Sequence, residues 1–579
     1  MKMINLKYSE ILKLNKNLEK KDKTSSYNIS LLSNITIHQS KEVIEYSIRK
    51  EGINANITLG EYDNIIQDSK KQSNNSAVII FWELAHLFEG FHYKVELLSE
   101  IEVVALEKKL KSEIIFVLEN LKSCQLVVFN KFSSLLFTSL NIHSSRLNLL
   151  KNKLNEYLES LESNNIKLAN IDDVISYIGY EKSFDLRYFY SAKAPYSIDF
   201  FKAYATYIKP LLMSINGKSK KILIFDCDNT LWKGILGEDG FDGIEMSSET
   251  ENGKIFQEVQ SIASYLSKQG ILIGLCSKNN LDDVNNVLFN NEFLVLKDSQ
   301  IAIKKINWSD KASNLLEISK ELNITLQDFV FIDDSEFECN LIKELLPEVT
   351  VLQVPKKLIN YPKMLRDNLG LFYKFSNTYE DSLKTQMYHH QKQRSANQVN
   401  FSSIDDYLRS LDLKLKIYKN NSKQISRIAQ MSQKTNQFNL TTKRYAAGEI
   451  NKMMLNKKII IYTFSVEDKY GDSGVTGLSI IKKDKDIAEI DSFLLSCRVI
   501  GRNLEYAFLD YFIQDLKKQN VKTLNAKFIK SNKNIQVNNF YDECTFKVIF
   551  ENENTKNYSL MVNNYSKDQI NYIKVTTNE

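Results

Sequence analysis

The sequence predicts an α/β protein of three domains, and three observations carry that prediction. Short apolar runs alternate with helix-like stretches over residues 27–215, the pattern of a parallel sheet covered by helices. Over residues 218–354, four chemically distinctive segments follow one another, each after an apolar strand or stretch. From residue 401 onward, helices mix with longer strands in a third unit. At roughly 100–200 residues per domain, a chain of 579 residues has room for all three.

Composition narrows the class. A hydrophobic content of 43% and a charged content of 25% are those of an ordinary globular chain. A net charge of +5 is small for this length and the basic residues are scattered, so no nucleic-acid partner is expected. The polar, Lys-rich start lacks the apolar core of a signal peptide, and no run of about 18 apolar residues suggests a spanning helix. Six cysteines without paired spacing read as reduced thiols rather than a disulfide framework or a zinc site. The expectation is a cytoplasmic protein with no membrane partner.

Taken in order, residues 1–26 read as a flexible or helical N-terminus. Strands are expected at 29–34, 54–59, 77–82 and 126–130, and helices at 41–49, 96–120 and 147–162. Ser33 follows a strand, but its spacing matches no nucleophile elbow and it reads as a turn serine, so this domain is expected to bind or scaffold. Residues 355–400 read as a helical, polar connector that includes His389 and His390. The third unit should hold helices at 405–413, 424–433 and 504–519, and strands at 413–418, 459–464, 475–482 and 487–494.

The chemistry is expected in the second unit. A strand-type run, Lys221-Ile-Leu-Ile-Phe225, ends in Asp226 and Asp228. Residues two apart on a strand share a side, so both carboxylates would converge if the strand continued that far. Such a pair calls for a divalent cation or a shared proton. Ser277, Lys278 and Asn279 follow the run 271–276, Lys311 follows 306–310, and Asp333 and Asp334 follow 329–332. Phosphate-ester cleavage needs a nucleophile, a proton donor for the leaving oxygen, and positive charge on the phosphoryl oxygens. Asp226 can form a phospho-aspartyl intermediate, and Asp228 can protonate the leaving group and then deprotonate water. Thr230, Ser277, Lys278 and Lys311 are the candidate phosphate-binding residues, and Mg²⁺ suits the hard oxygen ligands.

This ordered set resembles the haloacid dehalogenase (HAD) superfamily of aspartate-nucleophile phosphatases. The resemblance implies metal ligation by Asp226, by the carbonyl of Asp228 and by one acid of the fourth station, Asp334 first and Asp333 otherwise. Only some forty residues part the first two stations, enough for one helix and too few for a large cap domain. Longer segments resemble the FkbH-like proteins (HAD subfamily IIIC). These are Lys193-Ala-Pro-Tyr-Ser197, Asp226-Cys-Asp-Asn-Thr-Leu-Trp-Lys-Gly-Ile-Leu-Gly-Glu-Asp-Gly240, Ile306-Asn-Trp-Ser-Asp-Lys311, Gln433-Lys-Thr-Asn-Gln-Phe-Asn-Leu-Thr-Thr-Lys-Arg-Tyr445, Asp468-Lys-Tyr-Gly-Asp-Ser-Gly474 and Ser496-Cys-Arg-Val-Ile-Gly-Arg502. The resemblance spans roughly residues 27–550. It implies an SGNH-hydrolase-like domain at 27–215, a capless HAD domain at 218–354 and a GNAT-like α+β acyltransferase domain at 401–579. Departures are Cys227 where Leu is usual, Lys233 where Gly is usual and Asn503 where Gly is common.

In the last domain, Arg498, Gly501, Arg502 and Asn503 follow a strand and open a helix, a place where related folds cradle a pyrophosphate. The ligand would be CoA or the phosphopantetheine of a carrier protein. Cys497 has two readings, a small buried strand residue, which the residues alone favour, and the acyl-bearing thiol that the family scheme implies. The resemblance implies an enzyme that dephosphorylates an acyl donor such as 1,3-bisphosphoglycerate and passes the glyceryl or other acyl group to an acyl carrier protein. The alternative is a HAD phosphatase fused to an acyl-CoA-dependent N- or O-acyltransferase.

Overall fold

The structure, a computed structural model, describes residues 3–19, 26–72, 76–137, 145–375, 385, 387–388, 404–531, 533–566 and 570–578. The chain forms two compact units, Met1–Asn216 with Tyr445–Ile450, and Gly217–Arg444 with Asn451–Glu579. No described helix is long and apolar enough to cross a membrane.

The first unit is built on a parallel sheet of β1 (Tyr27–Ser33), β2 (Ala55–Leu59), β3 (Ala77–Phe81), β4 (Leu126–Asn130) and β5 (Ile166–Ala169), in the order β2-β1-β3-β4-β5. β3 and β4 are buried along their whole length, as unbroken apolar runs require. The helix expected from residue 96 starts at Glu100, because Ser99 and Glu102 close a capping box there. Of the two readings of the N-terminus, flexible or helical, residues Tyr8–Glu19 take the helical one. Its Ile11 is fully buried, and Asn15 donates to Glu45 at 3.0 Å, which anchors it.

In the second unit, β6 (Ile222–Phe225), β7 (Leu272–Ser277), β8 (Ile301–Ile306), β9 (Phe329–Asp333) and β10 (Thr350–Gln353) form a second parallel sheet, in the order β10-β9-β6-β7-β8. Between β6 and β7 lie two helices, Leu236–Gly243 and Glu251–Lys268, where the sequence suggested one. Gly240, at φ 72°, interrupts the first, and Thr250 caps the second by accepting from Gly253 N. Residues 358–372, expected in the connector, belong to this domain: Tyr361, Leu365 and Phe372 are buried in the same core as Phe225 and Leu231. The polar look of that stretch hid three core side chains. Most of the remaining connector, His389 and His390 included, lies outside the described residues.

A third sheet comprises β11 (Lys414–Lys419), β12 (Phe438–Asn439), β13 (Ile459–Asp468), β14 (Gly471–Asp484), β15 (Ile487–Leu495), β16 (Thr523–Ile529), β17 (Lys547–Glu551), β18 (Thr555–Met561) and β19 (Lys574–Asn578). Its order is β17-β18-β16-β15-β14-β13-β11-β19, with β12 against β15. β15 and β16 run parallel and pair only over Ile487–Glu489 and Thr523–Asn525. Beyond that they separate, and β12 pairs with Leu494 and Leu495 in the opening. Leu440 then joins both sides, its N donating to Phe493 O (3.1 Å) and its carbonyl accepting from Ile529 N (2.8 Å). The fold class is therefore the one the sequence predicted, two parallel α/β sheets and a mixed third sheet.

Candidate active site

The site lies at the carboxyl ends of β6 and β9, where an open parallel sheet leaves a crevice. Asp226 N donates to Ile332 O at 2.9 Å, which fixes the residue beside the end of β9. Lys311 opens the helix Lys311–Leu322, whose amino end Asp310 caps by accepting from Ser313 N. Its Nζ stands 3.0 Å from Asp226 Oδ1 and 2.6 Å from Asp333 Oδ2, and all three side chains are buried. Burial works against the ammonium, but the Asp226 and Asp333 carboxylates outweigh it and raise its pKa above the ordinary lysine value. Carboxylate oxygens of Asp226, Asp333 and Asp334 lie within 4.8 Å of one another. Burial and the charge of Asp226 raise both Asp333 and Asp334 above the usual carboxylate range.

One ammonium does not balance three carboxylates, so the cluster suits a divalent cation held by hard oxygens. The oxygens of Asp333 are already used, by Lys311 Nζ and by Ser335 N at 2.9 Å. The side chain of Asp334 accepts from no other described residue. This division favours Asp334 as ligand over Asp333.

Asp228 is not in the carboxylate cluster. β6 ends at Phe225, so the alternation that would align it with Asp226 is lost. Asp228 Oδ1 accepts from Trp232 Nε1 and Leu236 N, both at 3.0 Å, and Oδ2 from Asn279 Nδ2 at 2.9 Å. Burial pushes its pKa up, although these donors and the nearby Asp226 charge oppose one another. Trp232 and Asn279 stand in the segments quoted from the sequence but were given no role there, since a Trp or an Asn in a polar loop announces no chemistry.

The remaining candidates divide. Ser277 ends β7, buried, near the thiol of Cys227. Lys278 turns to Glu338, with Nζ 2.7 Å from Oε1, so its charge is committed to that pair. Thr230 is fully buried; its N–H donates to Cys227 O and its carbonyl accepts from Tyr361 Oη, so its main chain holds the loop, while its hydroxyl is buried without a hydrogen-bond partner among the described residues. Lys233 Nζ donates to Asn229 Oδ1 at 2.8 Å across the turn after Asp228. Cys227, Cys276 and Cys339 are buried packing residues.

Cys497 lies past the end of β15, in the turn Cys497–Val499, and is half-buried. It is thus not the buried strand residue of the simpler reading. Its thiol lies near Tyr388, and its carbonyl accepts from Asn323 Nδ2 at 3.2 Å. Asn323 caps the carboxyl end of the helix that Lys311 begins. At 1.5 Å per residue, that 12-residue helix sets Lys311 and Cys497 about 18 Å apart along its axis. The guanidinium of Arg498 is buried against Met387 and Ser496, and Arg502 pairs with Asp468 at 3.1 Å. With both guanidinium groups engaged inside the protein, a pyrophosphate here would rest on backbone N–H groups. Gly501, at φ 82°, faces open space, and Asn503, at φ 59°, spends its side chain on Tyr572.

No family model matches the chain, and no curated protein matches it. Among solved structures, it is similar to the N-terminal part of the protein BF1531 from Bacteroides fragilis, which contains a phosphatase domain and is complexed with Mg. The two are 25% identical with a TM-score of 0.56, over 64% of this chain and all of that one. Shorter matches include ribosomal-protein-S18-alanine N-acetyltransferase from Escherichia coli, 11% identical over 27% of this chain and 97% of that one (TM-score 0.21). PaiA N-acetyltransferase from Thermoplasma acidophilum, in complex with coenzyme A, is 17% identical over 20% of this chain and 68% of that one (TM-score 0.17).

Proposed function

We propose that the chain is a Mg²⁺-dependent HAD-type enzyme that removes phosphate from a phosphorylated acyl donor through phospho-Asp226 and passes the acyl group to a carrier-protein thiol. The observation that carries the first half is Asp226, gripped by buried Lys311 and flanked by the less committed Asp334. The phosphatase domain complexed with Mg in BF1531 supports the same reading. Asp226 attacks phosphorus while the ester bond breaks and Asp228 protonates the departing oxygen. Asp228 then takes a proton from water, whose oxygen attacks the phosphorus of phospho-Asp226, freeing phosphate and restoring the carboxylate. Asp226, Asp334 and the carbonyl of Asp228 would hold Mg²⁺, which offsets charge on the phosphoryl oxygens. Lys311 keeps Asp226 oriented.

The second half assigns Cys497 as the acyl-bearing thiol: its sulfur attacks the carbonyl of an acyl phosphate, phosphate leaves, and the carrier thiol then displaces Cys497. A separation of about 18 Å along the helix makes the two steps occur at separate places, so the donor or the carrier arm must move between them. The family resemblance points to 1,3-bisphosphoglycerate as donor. Incubation with that compound, Mg²⁺ and a phosphopantetheinylated carrier protein, followed by intact mass spectrometry, should show a glyceryl adduct on the carrier; phosphate release with no adduct on either protein sinks the transfer half. An acyl-CoA-dependent transferase is the second reading, favoured by the open face of Gly501. Leu440, bridging β15 and β16, works against a ligand that would lie between those strands.

A further inference from the structure

β17 is the outermost strand of the third sheet, with β18 on its inner side only. All five of its residues are exposed. Val548, Ile549 and Phe550 are 42%, 64% and 51% exposed. Three consecutive apolar residues open to water on a sheet edge form a template for another strand. Ile549 has no register partner in β18, because the pairing shifts between Val548 and Phe550. Its main chain is therefore left out of the inner ladder.

The charges at the strand's ends select what pairs there. Laid antiparallel to itself about Ile549, the strand sets Lys547 against the partner's Glu551, Val548 against Phe550, and Ile549 against itself. A parallel pairing in register sets Lys against Lys and Glu against Glu, which is repulsive. A slip of one residue loses both ion pairs and turns each side chain to the other face. Glu551 also approaches Lys556 of its own chain at 3.2 Å, yet its side chain stays 52% exposed and can serve a second cation.

We propose that a second copy of this chain pairs with β17 edge to edge, antiparallel about a two-fold axis at Ile549, with Lys547 and Glu551 forming two equivalent ion pairs. Such an arrangement is self-complementary and uses each edge once, so it closes at a dimer instead of growing into a fibre. Five-residue strands bury little area compared with the roughly 1,200–2,000 Å² of a stable complex, so the dimer is concentration-dependent.

Sedimentation velocity of the full chain, from about 1 to about 100 µM, reads the association. The wild type is expected to pass from monomer to dimer over that range. Lys547→Glu and Glu551→Lys should each weaken the dimer about tenfold or more, because two attractive pairs become repulsive. The double reversal Lys547→Glu/Glu551→Lys should restore it, with unchanged far-UV circular dichroism in all forms. A wild type that stays monomeric throughout overturns the proposal, as it would if the edge serves a different protein. A double reversal no tighter than the single variants overturns it too.

Discussion

Replacing Lys311 by Met removes one buried ammonium that serves two buried carboxylates, at 3.0 and 2.6 Å, and keeps an unbranched apolar stem. Breaking a buried ion pair costs about 3–5 kcal/mol, because the charge left behind has lost its partner. Here two carboxylates are left, with Asp334 close by, so the upper part of that range is expected for the second unit in EDTA. Mg²⁺ should recover part of the loss, and should stabilise Lys311→Met more than the wild type, because the cluster then carries one more uncompensated negative charge. Binding at a hundredfold excess over Kd is worth about 2.7 kcal/mol. Urea unfolding followed by circular dichroism, with EDTA and then with Mg²⁺, measures both effects. Phosphate release should fall about a thousandfold even with Mg²⁺ present. A loss below about 1 kcal/mol in EDTA would show that Lys311 is not what neutralises the pair.

Other expectations follow from single contacts. Asp334→Asn should raise the Mg²⁺ concentration for half-maximal phosphate release about tenfold or more with little loss of apo stability, whereas Asp333→Asn, which disturbs Lys311 and Ser335 N, should cost stability; the opposite pattern in a Mg²⁺ titration reverses the ligand assignment. In the first unit, burial lifts Glu83 to about 7 from an ordinary 4.5, with its Oε1 accepting from Tyr196 at 2.8 Å. The folded state then holds the proton that the unfolded state releases, so stability falls as pH rises from about 4.5 through about 7. The advantage of Glu83→Gln should therefore grow by about 2–3 kcal/mol between pH 5 and pH 8, and an advantage independent of pH in urea melts would refute the assignment. Cys497→Ala should leave release of the ester phosphate through Asp226 intact and abolish acyl transfer to the carrier; transfer at the wild-type rate removes the thiol from the path.

Much of this site was legible because it is built from strand ends. Asp226, Ser277 and Asp333 each close or follow an apolar run, and the runs are the strands β6, β7 and β9. Lys311 was legible from its order in the set, although only the fold shows its Nζ between two carboxylates. What stayed hidden depends on partners distant in sequence. Lys278 meets Glu338 sixty residues on, and Arg498 meets Met387 across more than a hundred. Asp228 left the cluster because β6 ends one residue before Asp226, a boundary that hydrophobic patterning does not resolve. β12 is two residues long and gains its strand character from β15, so no local propensity announces it.

The central claim is that Asp226 carries the phosphoryl group. Rapid quenching of a reaction with acetyl phosphate and Mg²⁺, followed by borohydride reduction, converts a phospho-aspartate to homoserine that peptide mass spectrometry locates. Homoserine at position 226, and its disappearance in Asp226→Asn, is the predicted result. Phosphate release without homoserine at 226, or with homoserine at another aspartate, would contradict it.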